Sequence, residues 1–417
     1  MSICPEDAIL LAETRLVVRE ACTECGLCVA ACPVGALSAP GTAAPAATEG
    51  RLGEHCDVVV VGAGPGGSTA AWQAARLGLS VLLLEKRQEI GSPVRCAEGV
   101  PHQSLVDFVE PDPAWISAIV DRAQIMALDS GRVVQHWEGA GGLGYVLERR
   151  VFDRMLAERA AQAGAQVRVK APVVGFLHGY GTVCGLQVSW QGQITEVKAS
   201  VVIAADGVES RVGDWAGLDT QLPLEDTMTC AQYLLSGVDW NPACLGYWID
   251  EEIAPGGYAW VFPKGEGRAN VGLGIQADLG RETALSYLTH FVEREPTLAQ
   301  GSPVTLVAGN VPASLPCREL VGDGLMLVGD AARLVDPLTG GGIVNAMVSG
   351  RLAAQVAAEA LEEGDTSAQG LAPYQHRVEG AMGRRLARDY RLRERFPPDR
   401  RAARKFLRIF AVATGGK

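Results

Sequence analysis

The sequence predicts a mixed α/β and α+β chain: a parallel-sheet domain built from separated segments, an antiparallel β-rich domain inserted into it, and a small cysteine-rich segment in front. Three observations carry this. The apolar run DVVVVGAG at residues 57–64 leads through a glycine turn into an amphipathic stretch at 68–77 and a second apolar run, SVLLLEK, which together make a βαβ unit. Alternating runs at 166–204 and 228–275 are separated from a final apolar strand, GLMLVGDAA at 324–332, so the β-rich part interrupts the first domain. Five of the 11 cysteines lie within the first 32 residues.

Length and composition bound the rest. At about 150 residues per domain, 417 residues make two or three domains with a sizeable core. The 50 glycines are roughly 12% of the chain against the ordinary ~7%, yet hydrophobic residues reach 48%, which excludes disorder and collagen. No basic stretch followed by an apolar one opens the chain and no apolar run approaches the ~18 residues of a membrane span, so a reducing cytoplasm is expected. The net charge of −11 argues against nucleic acid as a partner. That average hides 12 Lys or Arg against 3 Asp or Glu in residues 381–417, a basic tail on an acidic body.

In chain order, residues 1–37 are the cysteine-rich segment and 38–54 an Ala/Pro/Gly linker without periodicity. Residues 55–100, 145–220 and 312–365 are assigned to the discontinuous first domain, with a helix at 151–163 and a long helix ending near Gly364. Residues 101–144 and 221–311 are assigned to the inserted domain, 95–144 reading as irregular. Residues 366–417 form a basic helical C-terminal region.

CTECGLCVAACP at residues 22–33 fits CxxCxxCxxxCP, in which three closely spaced thiolates hold one iron–sulfur cluster and the fourth cysteine, before proline, serves another. The segment resembles bacterial-type ferredoxins, which carry this run twice. Here only the tail of the first run is present, CPEDAI at 4–9 against CPVGAL at 32–37. The resemblance implies a 4Fe-4S cluster on Cys22, Cys25, Cys28 and Cys4, with Cys32 as the alternative ligand. A zinc knuckle competes with this reading, although zinc sites usually use two separated CxxC pairs. The third cysteine of the shortened run would precede Met1, so a second cluster depends on whether the natural chain starts upstream.

GAGPGG places Gly62, Gly64 and Gly67 in GxGxxG between strand and helix, with Glu85 ending the next strand. The glycines let backbone approach a pyrophosphate at the helix N-terminus, and the acid suits a ribose. Two further stretches point to FAD rather than NAD. VVIAADGVESR resembles the DG motif of flavoprotein hydroxylases and reductases, and LMLVGDAARLVDPLTGGGI their GD motif. The resemblance implies a Rossmann-like FAD domain of the p-hydroxybenzoate hydroxylase type. In it Asp206, Gly207, Asp330 and Arg149 contact FAD, and the Gly340, Gly341, Gly342 turn opens a helix toward the flavin. Capping or turn formation is the competing role for Asp206 and Asp330.

PVRCAEGV at 93–100 and GGYAWVFPKGEGRANVGLG at 256–274 resemble the geranylgeranyl reductase family, with its cysteine-bearing loop and its YxWxFP motif. This implies a flavin enzyme that saturates isolated C=C bonds of polyprenyl chains in lipids, quinones or chlorophyll precursors. Independently, Tyr258, Trp260 and Phe262 alternate with Ala259 and Val261, so a strand puts the three aromatics on one face. Such a face suits a long apolar substrate and would stabilise cationic character at carbon, although without the family resemblance an ordinary sheet core is the simpler reading. The family places Cys96 over the flavin, where a thiol could donate a proton, orient the alkene or gate access. Cys317 is a second candidate near the flavin, while Cys56, Cys184, Cys230 and Cys244 read as core.

The cluster implies a one-electron, low-potential donor such as reduced ferredoxin rather than NADPH, since direct hydride transfer would need no cluster. The basic stretch ending in Phe406, Leu407, Ile409 and Phe410 could rest on the inner face of the membrane, or pack as a solvated helix on the acidic body. A flavin and iron–sulfur protein that reduces a membrane quinone is the principal alternative. An NADPH hydroxylase and a redox sensor are weaker ones.

Overall fold

A computed structural model describes residues 9–12, 15–18, 55–129, 132–179 and 182–395. At the N-terminus, β1 (Ile9–Ala12) and β2 (Arg15–Val18) form an antiparallel pair with Ile9 opposite Val18. Cys4, Cys22, Cys25, Cys28 and Cys32, together with the 38–54 linker, lie outside the described residues.

The first sheet begins with β3 (His55–Val61), whose run of valines is buried as expected of an interior parallel strand. Helix α1 (Pro65–Arg76) follows with proline at its first turn and Gly64 as N-cap, then β4 (Val81–Leu84) pairs parallel to β3. The chain then leaves for the second sheet through β5 (Gly99–Pro101), the short α2 (His102–Leu105), β6 (Ile116–Asp129) and β7 (Arg132–Leu147). It returns by α3 (Arg149–Gln162) and β8 (Gln166–Arg168), followed by β9 (Val173–Gly179), β10 (Thr182–Trp190) and β11 (Gln193–Ala204). The first part of β11 pairs antiparallel with β10, and its last part runs parallel to β3.

After α4 (Val212–Trp215) the second sheet is completed by β12 (Thr227–Ser236), β13 (Cys244–Ile249), β14 (Tyr258–Pro263) and β15 (Arg268–Gln276), then α5 (Ala284–Arg294) and β16 (Ser302–Pro312). The first sheet closes with β17 (Val321–Gly322) and β18 (Leu325–Leu327), giving the order β17-β18-β11-β3-β4-β8. Helices α6 (Ile343–Glu363), α7 (Ala368–Val378) and α8 (Arg384–Arg395) end the described chain, with a π-helical turn at Glu379–Gly383. Helix α6 stops at Gly364, which takes φ 73°.

The second sheet has the order β16-β12-β15-β14-β13-β6-β7-β5 and is antiparallel except for β13 beside β6. The stretch at 95–144, expected to be irregular, carries the long β6–β7 hairpin. Its glycines, Gly139, Gly141, Gly142 and Gly144, weaken any local strand signal, and pairing with β6 supplies the order instead. Where α1 and α6 cross, a Cβ on Gly350 would lie 2.2 Å from the Gly66 carbonyl oxygen, so only glycine allows the approach. Among the described residues no helix is long and apolar enough to cross a membrane.

Candidate active site

A cavity of about 1410 Å³ lies between the two sheets. From the first sheet it is lined by Gly64, Gly207, Asp330 and Gly340 to Gly342, and from the second by Tyr258, Trp260, Phe262 and Tyr247. Cys96 and Arg149 also line it, and α8 walls one part through Arg385, Tyr390 and Arg393.

The glycine turn separates packing from exposure. A Cβ on Gly67 would meet the Gly62 carbonyl oxygen at 1.9 Å, and one on Gly62, which has φ 99°, would meet the Ala205 carbonyl oxygen at 2.4 Å. Gly64 and Gly207, by contrast, have nothing within 4 Å of a Cβ and line the cavity as bare backbone. Glu85 accepts hydrogen bonds from the Ala63 N–H at 3.0 Å and the Arg87 N–H at 2.9 Å, which ties the end of β4 to the turn. It is not part of the cavity lining. Asp206 sits in a turn. Its carboxylate accepts from the Ser210 hydroxyl and from the Arg211 and Val212 N–H groups at 2.8 to 3.1 Å, closing the turn before α4, and Gly207 rather than Asp206 reaches the cavity.

Asp330 does line the cavity, and burial pushes its carboxyl above the usual carboxylate range, with the Arg149 charge opposing. A Cβ on Gly342, the N-cap of α6, would lie 3.2 Å from Asp330 Oδ1. Exposed backbone at Gly64, Gly207 and the Gly340 turn, with a carboxylate among them, is the surface that a flat, pyrophosphate-bearing dinucleotide requires.

On the other side, β14 turns Tyr258, Trp260 and Phe262 to the cavity and Ala259 and Val261 to the core beneath α5. Tyr247 joins them, its ring 5.9 Å from Tyr258 and 5.5 Å from Phe262 between centroids. The Tyr258 hydroxyl donates to the Thr339 carbonyl at 2.6 Å, linking this wall directly to the Gly340 turn. The Trp260 ring lies across Gly272 and the Phe262 ring across Gly99, where any Cβ would come within 2.7 Å.

Cys96 sits where these surfaces meet. Burial pushes its thiol up, against the pull of the neighbouring Arg149, whose guanidinium is also held by Asp153 in a two-point contact at 2.7 and 2.9 Å. The Cys96 carbonyl accepts from Gln232 Nε2 at 2.9 Å, and Gln232 Oε1 accepts from Trp260 Nε1 at 2.9 Å. Cys230, expected in the core, also lines the cavity, because β12 presents it on the same face as Gln232. Burial pushes its thiol up to about 12. Cys317 is buried in the first sheet's core and is not among the cavity residues.

Glu98, Lys264, Asn270, Gln232 and Tyr247 escaped the sequence reading. Glu98 stands inside the quoted RCAEGV and Lys264 directly after YAWVFP, but each becomes meaningful only through the other. In the basic tail, Arg385 pairs with Asp336 at 2.7 Å, Arg393 pairs with Asp226 at 3.0 Å, and Leu386 is buried. So 384–395 packs on the acidic body, while 396–417 lies outside the described residues.

Comparison with known proteins places the chain in a family. Residues 226–311 match the family described as geranylgeranyl reductase catalytic domain, 57–244 match FAD dependent oxidoreductase, and 16–38 match 4Fe-4S binding domain. A digeranylgeranylglycerophospholipid reductase of Methanosphaerula palustris is 50% identical over 345 residues, covering 82% of this chain and 86% of its own. The chain belongs to the geranylgeranyl reductase family. A second family relative, from Methanothrix thermoacetophila, is 49% identical over 82% of the chain and 88% of its own. The solved structure of a geranylgeranyl bacteriochlorophyll reductase-like protein from Thermoplasma acidophilum aligns with TM-score 0.77 at 43% identity, over 82% of this chain and 87% of that one. A flavin-dependent brominase at 20% identity and TM-score 0.64 shares the fold alone. This family member is an FAD-dependent oxidoreductase whose cofactors are FAD and a 4Fe-4S cluster.

Proposed function

We propose that this reductase saturates the isolated double bonds of geranylgeranyl chains carried by a glycerophospholipid, using electrons that enter through the N-terminal cluster from a low-potential one-electron donor. The observation that carries this reading is the aromatic wall of Tyr258, Trp260 and Phe262, joined to the Gly340 turn by the Tyr258–Thr339 hydrogen bond. It sets an apolar, polarisable surface beside the backbone cradle.

FAD, when bound, supplies the hydride. The chain supplies the remainder. Gly64, Gly207 and the turn at Gly340 to Gly342 offer backbone to the dinucleotide, with Asp330 for its polyol chain. The aromatic faces exclude water and favour positive charge developing at carbon by roughly 0.5–2 kcal/mol. Burial raises the Cys96 pKa against the pull of Arg149, which favours the thiol over the thiolate, and its place in the cavity suits it to position the alkene or hand over a proton. The same reading puts the protein in the cytoplasm, with the basic C-terminal region meeting the inner face of the membrane.

The test is an anaerobic assay of reduced protein with a digeranylgeranyl phospholipid, read by product mass. Gains in steps of two hydrogens are expected. No gain with lipid, quinone or diphosphate acceptors, together with rapid quinone reduction, would overturn the proposal in favour of electron transfer.

A further inference from the structure

The loop that bears Cys96 is anchored by a buried ionic network. Glu98 is 3% exposed and Lys264 6% exposed. Lys264 Nζ donates to Glu98 Oε2 at 2.8 Å, and Asn270 Nδ2 donates to the same oxygen at 2.6 Å. The other carboxylate oxygen accepts from the Arg149 N–H at 2.8 Å, at the first residue of α3. Lys264 also donates to the Leu147 carbonyl at 2.5 Å and lies 3.3 Å from Glu148. One carboxylate thus joins β14, β15 and α3 to a single point on the loop.

That point is strained and lies two residues from the thiol. Glu98 takes φ 73°, in the left-handed region that side-chain-bearing residues avoid. In this conformation its N–H donates to Cys96 Sγ at 3.2 Å, while its carbonyl accepts from the Leu147 N–H at 2.9 Å. A residue free to relax would leave that region and turn its N–H away from the sulfur. Burying a lysine–glutamate pair brings little net stability over an apolar pair of the same shape, so its worth here lies in the geometry it holds.

We propose that Glu98, held by Lys264 and Asn270, is a positioning residue that fixes the Cys96 thiol at the junction of the aromatic wall and the cofactor cradle. Both residues line the cavity, but the Glu98 carboxylate is taken up by Lys264, Asn270 and the Arg149 N–H, so its proposed effect is exerted through the thiol. The turnover consequence rests on the alkene-reduction reading above; the placement of the thiol does not.

The test compares Glu98→Gly, Glu98→Gln and the double variant Glu98→Gly/Lys264→Met in oxidised, FAD-loaded full-length protein. Glycine suits the positive φ but leaves the buried Lys264 ammonium with Glu148 as its remaining carboxylate neighbour, and the double variant, which removes both buried charges, separates the loss of the network from the cost of that ion. Iodoacetamide labelling rates are read at each cysteine by peptide mass spectrometry. Labelling of Cys96 is expected to rise by on the order of tenfold in the glycine and double variants and less in Glu98→Gln, which retains one acceptor oxygen. Cys184, Cys244 and Cys317 should keep their wild-type rates. A Cys96 rate within about twofold of wild type, or an equal rise at all four cysteines, would overturn the proposal. In the first case the network does not place the thiol, and in the second it only holds the fold together. With prenyl substrate, kcat is expected to fall by on the order of tenfold and KM to stay within about threefold. If the wild type reduces no prenyl lipid, the function proposed above fails while the labelling rates still decide this one.

Discussion

The two halves of the cavity are built by opposite means. The cofactor half presents backbone: glycines at 62 and 67 are forced by packing, and those at 64 and 207 are left bare toward the cavity. The substrate half presents side chains, four aromatic rings and a chain of hydrogen bonds running from Trp260 through Gln232 to Cys96. A dinucleotide has the same phosphates and ribose wherever it binds, so a fixed backbone surface serves it. A hydrocarbon chain offers no polar groups, and only ring surfaces and a placed thiol can orient it.

The largest effect expected from this contrast is at the glycine turn. Gly67→Ala drives a methyl into the Gly62 carbonyl and should destabilise the protein by about 3 kcal/mol or more in urea unfolding. Gly64→Ala meets no protein atom and should change stability by less than about 1 kcal/mol. It should still weaken FAD binding by on the order of tenfold or more, measured by flavin titration. Equal stability losses in the two variants would break the distinction between packed and bare glycines.

On the other half, Trp260→Phe keeps a ring in the wall but leaves the buried Gln232 oxygen without its donor. A loss of about 1–2 kcal/mol is expected, with turnover of a prenyl lipid down by on the order of tenfold and FAD affinity unchanged. Loss of flavin would show that the halves are not separable.

Buried thiols in both halves make stability depend on pH. Burial pushes Cys56 up to about 12 in the first sheet, and Cys230 up to about 12 and Cys244 up to about 11 in the second, from 9.0. Between pH 9 and 12 the unfolded thiols ionise while the folded ones still hold their protons. Stability is therefore full below pH 9 and falls as pH rises toward these values. The urea midpoint should drop between pH 8 and pH 10, and Cys230→Ser should flatten that slope.

The smallest effect is expected at Asp206. Its carboxylate closes the turn before α4, so Asp206→Ala should cost about 1 kcal/mol with FAD content preserved. A loss of flavin out of proportion to stability would make it a cofactor contact as well.

Much of this was legible in the residues because the relevant partners are near in sequence. The βαβ unit, the glycine spacing and the alternation of Tyr258, Trp260 and Phe262 each depend on neighbours a few positions apart. The β6–β7 hairpin was not legible, since its glycine-rich second strand gains its order from its partner. Cys230, read as core, packs against the core and also lines the cavity, because alternation says that a residue faces one side of a strand, not whether that side meets packing or a cavity. Asp206 was ambiguous because a carboxylate suits a turn and a cofactor contact alike, and only the fold shows the hydrogen bonds that it makes.

The sequence alone carried the motifs from which the chemistry is read, glycine turns, closely spaced cysteines and an aromatic strand, because each lies in a short contiguous run. The placement of the thiol was decided only in three dimensions. Glu98 meets Lys264 across 166 residues and Asn270 across 172, and Gln232 reaches the Cys96 carbonyl across 136. No periodicity or local spacing encodes which distant strands become neighbours. The partners of a buried charge are therefore set by how the two sheets pack.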